Sequence, residues 1–177
     1  TSALLTFEGL GLGSNDAGFV FSLASQVFAM QTALIESGTE EQKSAWLPSL
    51  CRGDAIGSFA MSEISAGSDV ASITTTATRL DDGGFRLNGE KAWVTLAPVA
   101  DVIIVFATTD PALGRWGLTA FVIAVDTPGV TVGPVEPKSG LRSCPFSTVV
   151  FRDCVVAEST VLGKVGAGGS VFSSAVE

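Results

Sequence analysis

The chain has 177 residues, 46% of them hydrophobic and only 16% charged, with a formal net charge of −8. This composition excludes intrinsic disorder, which needs low hydrophobicity and high charge. The acidic surplus, with no cluster of Lys and Arg, excludes a nucleic-acid partner held through its phosphates. Histidine and tyrosine are absent, so His-based metal sites, Ser–His and Cys–His nucleophile pairs and the commonest general base are excluded too.

Acid–base work must then fall to a carboxylate, a lysine or a group outside the chain. Low charge with high apolar content also suggests a piece that buries part of its surface against partners. No stretch reaches the ~18 consecutive apolar residues of a membrane-spanning helix. The opening TSALLTFEGLGLGS lacks the basic start and cleavage site of a signal peptide. A cytoplasmic protein with no membrane partner is the expectation. Cys51, Cys144 and Cys154 form no C-x-x-C pair, which argues for buried, reduced thiols rather than a disulfide framework.

In chain order, the glycine-rich start gives way at Ser14 to a helical pattern. Phe19, Leu23, Val27, Met30 and Leu34 recur at helical spacing, with Ser14, Asn15 and Asp16 as candidate N-caps and Gly38 as a C-terminal cap. A second helix starts at Thr39, which has capping-box spacing to Gln42, and Pro48 predicts that it is short or kinked. After residues 52–55 the pattern becomes strand-like. AIGSFAM, ITTTATRL and GFRLNGEKAWVT follow, with DDGG at 81–84 as a turn and Asn88-Gly89 as the strongest short hairpin signal. VIIVFATT, LTAFVIAV, VTVGPV and STVVFRDCVV complete about seven strands, and SVFSSAVE opens another helix. The reading is an α+β fold: a partial helical domain, an antiparallel β-barrel or sandwich, and the start of a C-terminal helix. VGAGG lacks the spacing and later acidic residue of a dinucleotide fingerprint.

Two segments could carry chemistry. In AMSEISAGSD, small residues after a strand leave successive N–H groups free, Gly67 permits close approach or a positive φ, and Ser62 and Ser68 add hydroxyls. Alone, this segment reads first as an ordinary Ser/Gly turn. In GEKAWVT, Lys91, Trp93 and Thr95 share one face of a strand if they alternate regularly. Trp93 would then offer a flat surface to a planar ligand beside the Thr95 hydroxyl, the alternative being a Trp packed in the core. Glu63 and Asp69 are read as loop scaffolding, since carboxylates at turns readily accept backbone hydrogen bonds.

Taken together, ESGTEEQKSAWLPSLCRGD, AMSEISAGSDVASITTTA, LNGEKAWVT, VADVIIVFATTD, GLRSCPFSTVVFRDCVV and LGKVGAGGSVF occur in an order and spacing that resembles the acyl-CoA dehydrogenase family. The resemblance implies residues 1–54 as the later part of an N-terminal helical domain, 55–160 as a middle β-domain binding FAD, and 161–177 as the start of a truncated C-terminal helical domain. By the same resemblance the cofactor site is Phe59, Ala60, Met61, Ser62, Gly67, Ser68, Trp93, Val94 and Thr95. Phe59 and Met61 would offer backbone groups to the flavin ring, and Ser62 would contact its pyrimidine side. Gly67 and Ser68 would bind the pyrophosphate, with Ser68 also near the substrate's pantetheine arm. Trp93 would cover the ring and Thr95 would lie near N5.

The implied reaction is α,β-dehydrogenation of an acyl thioester, on CoA or a carrier protein, with a hydride passing to FAD. In this family a carboxylate of the C-terminal domain removes the α-proton, so no catalytic residue is assigned within this chain, Glu177 included. An electron-transfer flavoprotein or similar acceptor, a homodimer or homotetramer, and fatty acid metabolism are further implications. The 177-residue piece alone is expected to be inactive. Ile64 stands where the family commonly has Pro, Leu96 where a polar residue is frequent, and Cys144 and Pro145 follow Arg142 near the nucleotide end of the carrier. An oxidase or monooxygenase on the same fold, and a flavin-free assembly subunit, are the alternatives.

Overall fold

The computed structural model describes residues 2–176, so Thr1 and Glu177 lie outside the described residues. Four helices lead: α1 (Ser2–Gly13), α2 (Ala17–Ala24), α3 (Thr32–Ser37) and α4 (Glu40–Arg52), with a π-helical segment, Ser25–Gln31, joining α2 to α3. Eight strands follow: β1 (Gly57–Ala60), β2 (Thr76–Arg79), β3 (Phe85–Thr95), β4 (Val102–Thr108), β5 (Leu118–Ala124), β6 (Val130–Val132), β7 (Phe146–Val156) and β8 (Val161–Leu162). α5 (Gly168–Val176) closes the described chain.

The sequence marks no helix before Ser14, yet α1 is one. Its run of Ala, Leu, Phe and Glu favours helix despite three glycines, and no residue of it is buried. Asp16 caps α2, accepting from Phe19 N at 3.0 Å. The run Ala17–Ser37 is long and apolar enough to cross a membrane by length and composition. Here Met30, Ala33 and Leu34 of that run are buried against the sheet. The π-helical turn shifts the face of the run, which leaves Phe19 48% exposed although its spacing places it with Met30 and Leu34. The turn also aims Gln26 at the first residue of β1: its Oε1 accepts from Gly57 N at 2.8 Å and its Nε2 donates to Gly57 O at 2.5 Å. Glycine is required at 57, because a Cβ there would lie 2.3 Å from Met30 Cγ.

The capping box of α4 forms as its spacing predicts, with Gln42 N donating to Thr39 Oγ1 and Thr39 N donating to Gln42 Oε1. The helix nonetheless continues through Pro48 to Arg52 and ends at left-handed Gly53. Gln42 Nε2 donates to the carbonyls of Ser159 and Val161, tying α4 to β8.

β4 is the centre of the sheet, buried on every residue. Its even positions, Val102, Ile104 and Phe106, face the helices, while Ile103, Val105 and Ala107 face a second core shared with Phe85, Leu87, Val149 and Phe151. It pairs antiparallel with β5 but parallel with β1, from Gly57 opposite Val102 to Ala60 opposite Val105. It also meets β2 in parallel at Thr108 opposite Thr76. The sheet is therefore mixed rather than antiparallel, and it runs open from β6 to β8 as a sandwich rather than a closed barrel. β8, only two residues long, is too short to give a sequence pattern.

β1 and β2 lie in succession along one edge of β4, so residues 61–75 leave the sheet and return to it. Glu63 holds this excursion. Its Oε2 accepts from Thr74 N and Oγ1, both at 2.7 Å, and its Oε1 accepts from Thr75 N at 2.9 Å and Thr75 Oγ1 at 2.6 Å. Lys91 Nζ also donates to Glu63 Oε1 at 2.8 Å and to Met61 O at 3.0 Å, and both charged side chains are buried. Burial pushes the Glu63 carboxyl up, but the Lys91 ammonium and the Thr74 and Thr75 donors override it and hold the group at about 2. Burial draws Lys91 down to about 8 against the opposing pull of Glu63. Asp69 caps the short turn Val70–Ser72 through Ala71 N and Ser72 Oγ.

The β2–β3 reversal falls at Leu80–Gly84, where DDGG predicts a turn. Asn88-Gly89 is not a hairpin but lies inside β3, where its ladder with β7 shifts between Leu87 and Gly89. Gly89 has φ +150°, and a Cβ would lie 2.6 Å from Thr75 Cα. Asn88 is taken up in a bond with Asp153, whose N donates to Asn88 Oδ1 at 2.8 Å.

Three outcomes are expected. Lys91→Met leaves Glu63 buried without its counterion and lowers unfolding free energy by about 3–5 kcal/mol, measured by urea titration of the intact protein. The Glu63 contribution is complete above the ordinary carboxyl value of 4.5 and is lost as pH falls through about 2, because the unfolded carboxyl takes up its proton first. Glu63→Gln should flatten this acid-side loss in pH-dependent melts. Gly89→Ala, which drives a Cβ into Thr75 backbone, costs about 1–3 kcal/mol, read from the same titration.

Candidate functional site

The two segments singled out by sequence meet where β1 ends and β3 ends. Ser58 Oγ donates to Thr95 O at 2.6 Å, and Ala92 N donates to Ser62 O at 2.9 Å. Among the described residues β1 has a ladder partner on one edge only, β4. The Phe59 ring packs against Phe106 at 4.9 Å between centroids, and Ala60 and Met61 are buried. Their side chains thus belong to the core, and what remains to offer a ligand is backbone.

Beyond Met61 the chain opens out. Ser62 is half-buried, while Gly67 and Ser68 are exposed. The N–H groups of Ser62, Gly67 and Ser68 donate no hydrogen bond among the described residues. Gly67 does not adopt a positive φ, and no atom lies within 4 Å of a Cβ built on it. Nothing among the described residues requires glycine there.

Lys91, Trp93 and Thr95 do not share one face. The β3–β7 ladder shifts between Lys91 and Val94, and such a bulge re-aims the side chains on either side of it. Lys91 is turned into the core, while Trp93, at φ +58°, stands 60% exposed. A tryptophan held in the left-handed region is strained, and its ring is not core packing. Val94 is buried opposite Ser147, and Thr95 is half-buried opposite Phe146. Leu96, also left-handed, turns the chain away and donates through its N–H to Pro145 O at 2.7 Å.

Three further groups shape the surroundings. Leu96 lines a cavity of about 370 Å³ with Ser22, Gln26 and Ile56. A second, apolar cavity of about 450 Å³ lies between Phe7, Val20, Phe21, Phe28 and Leu141. The loop around Leu141 is held by Lys138, whose Nζ donates to the carbonyls of Leu141 and Cys144 and sits 3.8 Å from the Phe146 ring centroid. Ser143 Oγ donates to Asp16, joining this loop to the start of α2. Cys144 and Cys154 are buried as expected, and burial pushes the Cys154 thiol up; Cys51 is exposed, contrary to expectation, in the last turn of α4, where its Sγ reaches Gln31 Oε1 at 3.9 Å.

The sequence gives no sign of Gln26 or Ser58, since their bonds span 31 and 37 residues. A lysine in the middle of an apolar strand pattern was the available signal for the Lys91–Glu63 pair. Chemically, the face combines free N–H donors, two serine hydroxyls and an exposed indole. It can bind and orient a planar, anionic ligand. Glu63 spends its acceptors on five donors and Asp69 caps a turn, so neither carboxylate is free to act as a base.

The acyl-CoA dehydrogenase middle domain matches residues 58–154, and the acyl-CoA dehydrogenase N-terminal domain matches residues 1–54. An L-prolyl-[peptidyl-carrier protein] dehydrogenase of a Serratia species is 43% identical over 95% of this chain and 43% of its own length. Among solved structures, PigA with FAD and proline is 42% identical with a TM-score of 0.94, over 97% of this chain and 44% of that one. The prolyl acyl carrier protein oxidase AnaB is 41% identical with a TM-score of 0.92, over 96% and 44%. The chain spans less than half the length of these relatives. With both domain matches in chain order and the middle-domain match covering more than half of its residues, the chain belongs to the acyl-CoA dehydrogenase family.

Proposed function

We propose that this chain supplies the flavin-binding half of an enzyme that dehydrogenates an acyl thioester between its α and β carbons. The observation that carries the reading is the meeting of the Phe59–Ser68 and Trp93–Thr95 segments, joined by Ser58 to Thr95 and Ala92 to Ser62. Their residue types fit FAD. Free amides at Ser62, Gly67 and Ser68 suit a pyrimidine edge and a pyrophosphate, and the exposed Trp93 suits a ring face. The relative of known structure with FAD, at 42% identity, supports the same reading.

Bound FAD would accept the β-hydride while a carboxylate outside this chain takes the α-proton. The residues here bind and orient. Phe59, Ala60 and Met61 present backbone groups along the free edge of β1. Ser62 faces the pyrimidine end, Gly67 and Ser68 hold the pyrophosphate, and Ser68 also meets the pantetheine arm of the thioester. Trp93 covers the ring, and Val94 and Thr95 fix the strand beside N5. We place the enzyme in the cytoplasm as a homodimer or homotetramer that passes electrons to an electron-transfer flavoprotein.

A carrier protein is favoured over CoA as the thioester's holder, because two of the relatives above 40% identity name a peptidyl or acyl carrier protein. Oxygen as acceptor is the second reading, favoured by the oxidase among them.

The purified protein should show a flavin absorption band that an acyl thioester bleaches without air. No band after incubation with FAD would overturn the reading and favour a flavin-free assembly subunit. Slow reoxidation in air supports a dehydrogenase, and fast reoxidation supports the oxidase. Trp93→Ala should weaken FAD binding roughly tenfold, measured by flavin fluorescence, with stability changed by less than about 1 kcal/mol because the ring is exposed.

A further inference from the structure

The Lys91–Glu63 pair reaches beyond the loop it stabilises. Lys91 Nζ takes the Met61 carbonyl at 3.0 Å and Glu63 Oε1 at 2.8 Å. In a trans peptide the carbonyl and the following N–H point in opposite directions, and no peptide bond among the described residues is cis. The Ser62 N–H is therefore turned away from the buried ammonium, and it donates to no group among the described residues. The next carbonyl, of Ser62, accepts from Ala92 N, directly before Trp93. One side of the Ser62 amide is thus fixed by Lys91 and the other by the strand that carries the indole.

We propose that Lys91 and Glu63 are positioning residues that aim the Ser62 N–H at the pyrimidine end of the flavin, where negative charge gathers on reduction. Lys91 draws the Met61 carbonyl inward, Glu63 fixes the ammonium, and the Ser62 N–H becomes a preorganised donor. Preorganised donors favour the state in which charge has developed, so the device selectively stabilises reduced flavin. It rests on the FAD reading above.

Replacing both charges together separates positioning from field. Glu63→Gln/Lys91→Met leaves the net charge unchanged and avoids stranding one buried ion, yet it removes the bond to Met61 O. Glu63→Gln alone keeps Lys91 and that bond. In FAD-loaded protein, the two-electron midpoint potential of the double variant should fall by about 30 mV, the equivalent of a tenfold loss in preference for reduced over oxidised flavin. Glu63→Gln, whose amide oxygen still accepts from Lys91 Nζ but no longer balances its charge, should shift the potential in the same direction by less. In a Ser62→Pro background, which lacks the N–H, replacing the pair should give no further shift.

A folded double variant with wild-type potential and flavin spectrum would overturn the proposal, as would an undiminished shift in the Ser62→Pro background. A measurement on the wild type covers the case in which a variant does not fold. Hydrogen exchange at the Ser62 amide should slow at least about tenfold on loading FAD, and unchanged exchange with FAD bound would sink the idea. Wild-type protein that binds no FAD refutes the cofactor reading instead.

Discussion

An ammonium group taken out of water needs a partner for its charge and acceptors for its protons, and Lys91 satisfies both needs with neighbours from a single loop. The desolvation of each ion amounts to several kcal/mol, so the position of Glu63 is not free to drift. Glu63 in turn takes the backbone and hydroxyls of Thr74 and Thr75, which stand just before β2. One ion pair therefore joins three places that are distant in sequence: the end of β1, the start of β2 and the middle of β3. The fifteen or so residues that leave and rejoin the edge of β4 keep one shape because both of their ends are tied to the same carboxylate.

The sheet supplies the frame on which that tie acts. β4 is buried on both faces and separates a helix-side core from a core between the two halves of the sandwich. β1 joins it in parallel, and this leaves the other edge of β1 to face β3. The π-helical turn contributes from the far side, since the extra residue per turn brings Gln26 to both backbone groups of Gly57. Gln26 holds β1 at its start, Lys91 holds the residue after its end, and Ser58 ties it across to Thr95. The bulge in β3 completes the arrangement by sending Lys91 inward and Trp93 outward.

Much of this was legible in the residues. Hydrophobic runs rich in β-branched residues located seven of the eight strands, because side-chain pattern and strand length are local properties. The Thr39–Gln42 cap and the Asp81–Gly84 turn were legible for the same reason. The parallel pairing of β1 was not, since strand direction depends on which distant segment it meets. Asn88-Gly89 carries the chemistry of a two-residue hairpin, but the same tolerance of positive φ also serves a bulge, and contact with Thr75 decided between them. Strict alternation failed at Lys91 and Trp93 because a bulge leaves no mark in a period-two pattern. The helix Ser2–Gly13 was hidden by glycines that sit on exposed positions. The candidate site was legible as two segments, while the residues that hold those segments together, Gln26, Ser58 and the Lys91–Glu63 pair, act over separations that no local pattern spans.

The site is notable for what its residues have already used. Glu63 and Asp69 flank the turn and look like candidates for proton transfer, yet their oxygens are engaged with donors that shape the loop. Burial should have left Glu63 protonated and reactive; five donors hold it at about 2 instead. A carboxylate so strongly stabilised is a poor base, because taking up a proton means surrendering those bonds. The same bonds that make Glu63 useless for proton transfer make it effective as an anchor. Neither Glu63 nor Asp69 is left to move a proton, and the face built here is left to donate hydrogen bonds and to stack. Rigid amides and a strained, exposed indole suit that role, because neither needs to change its protonation state when a ligand's charge changes.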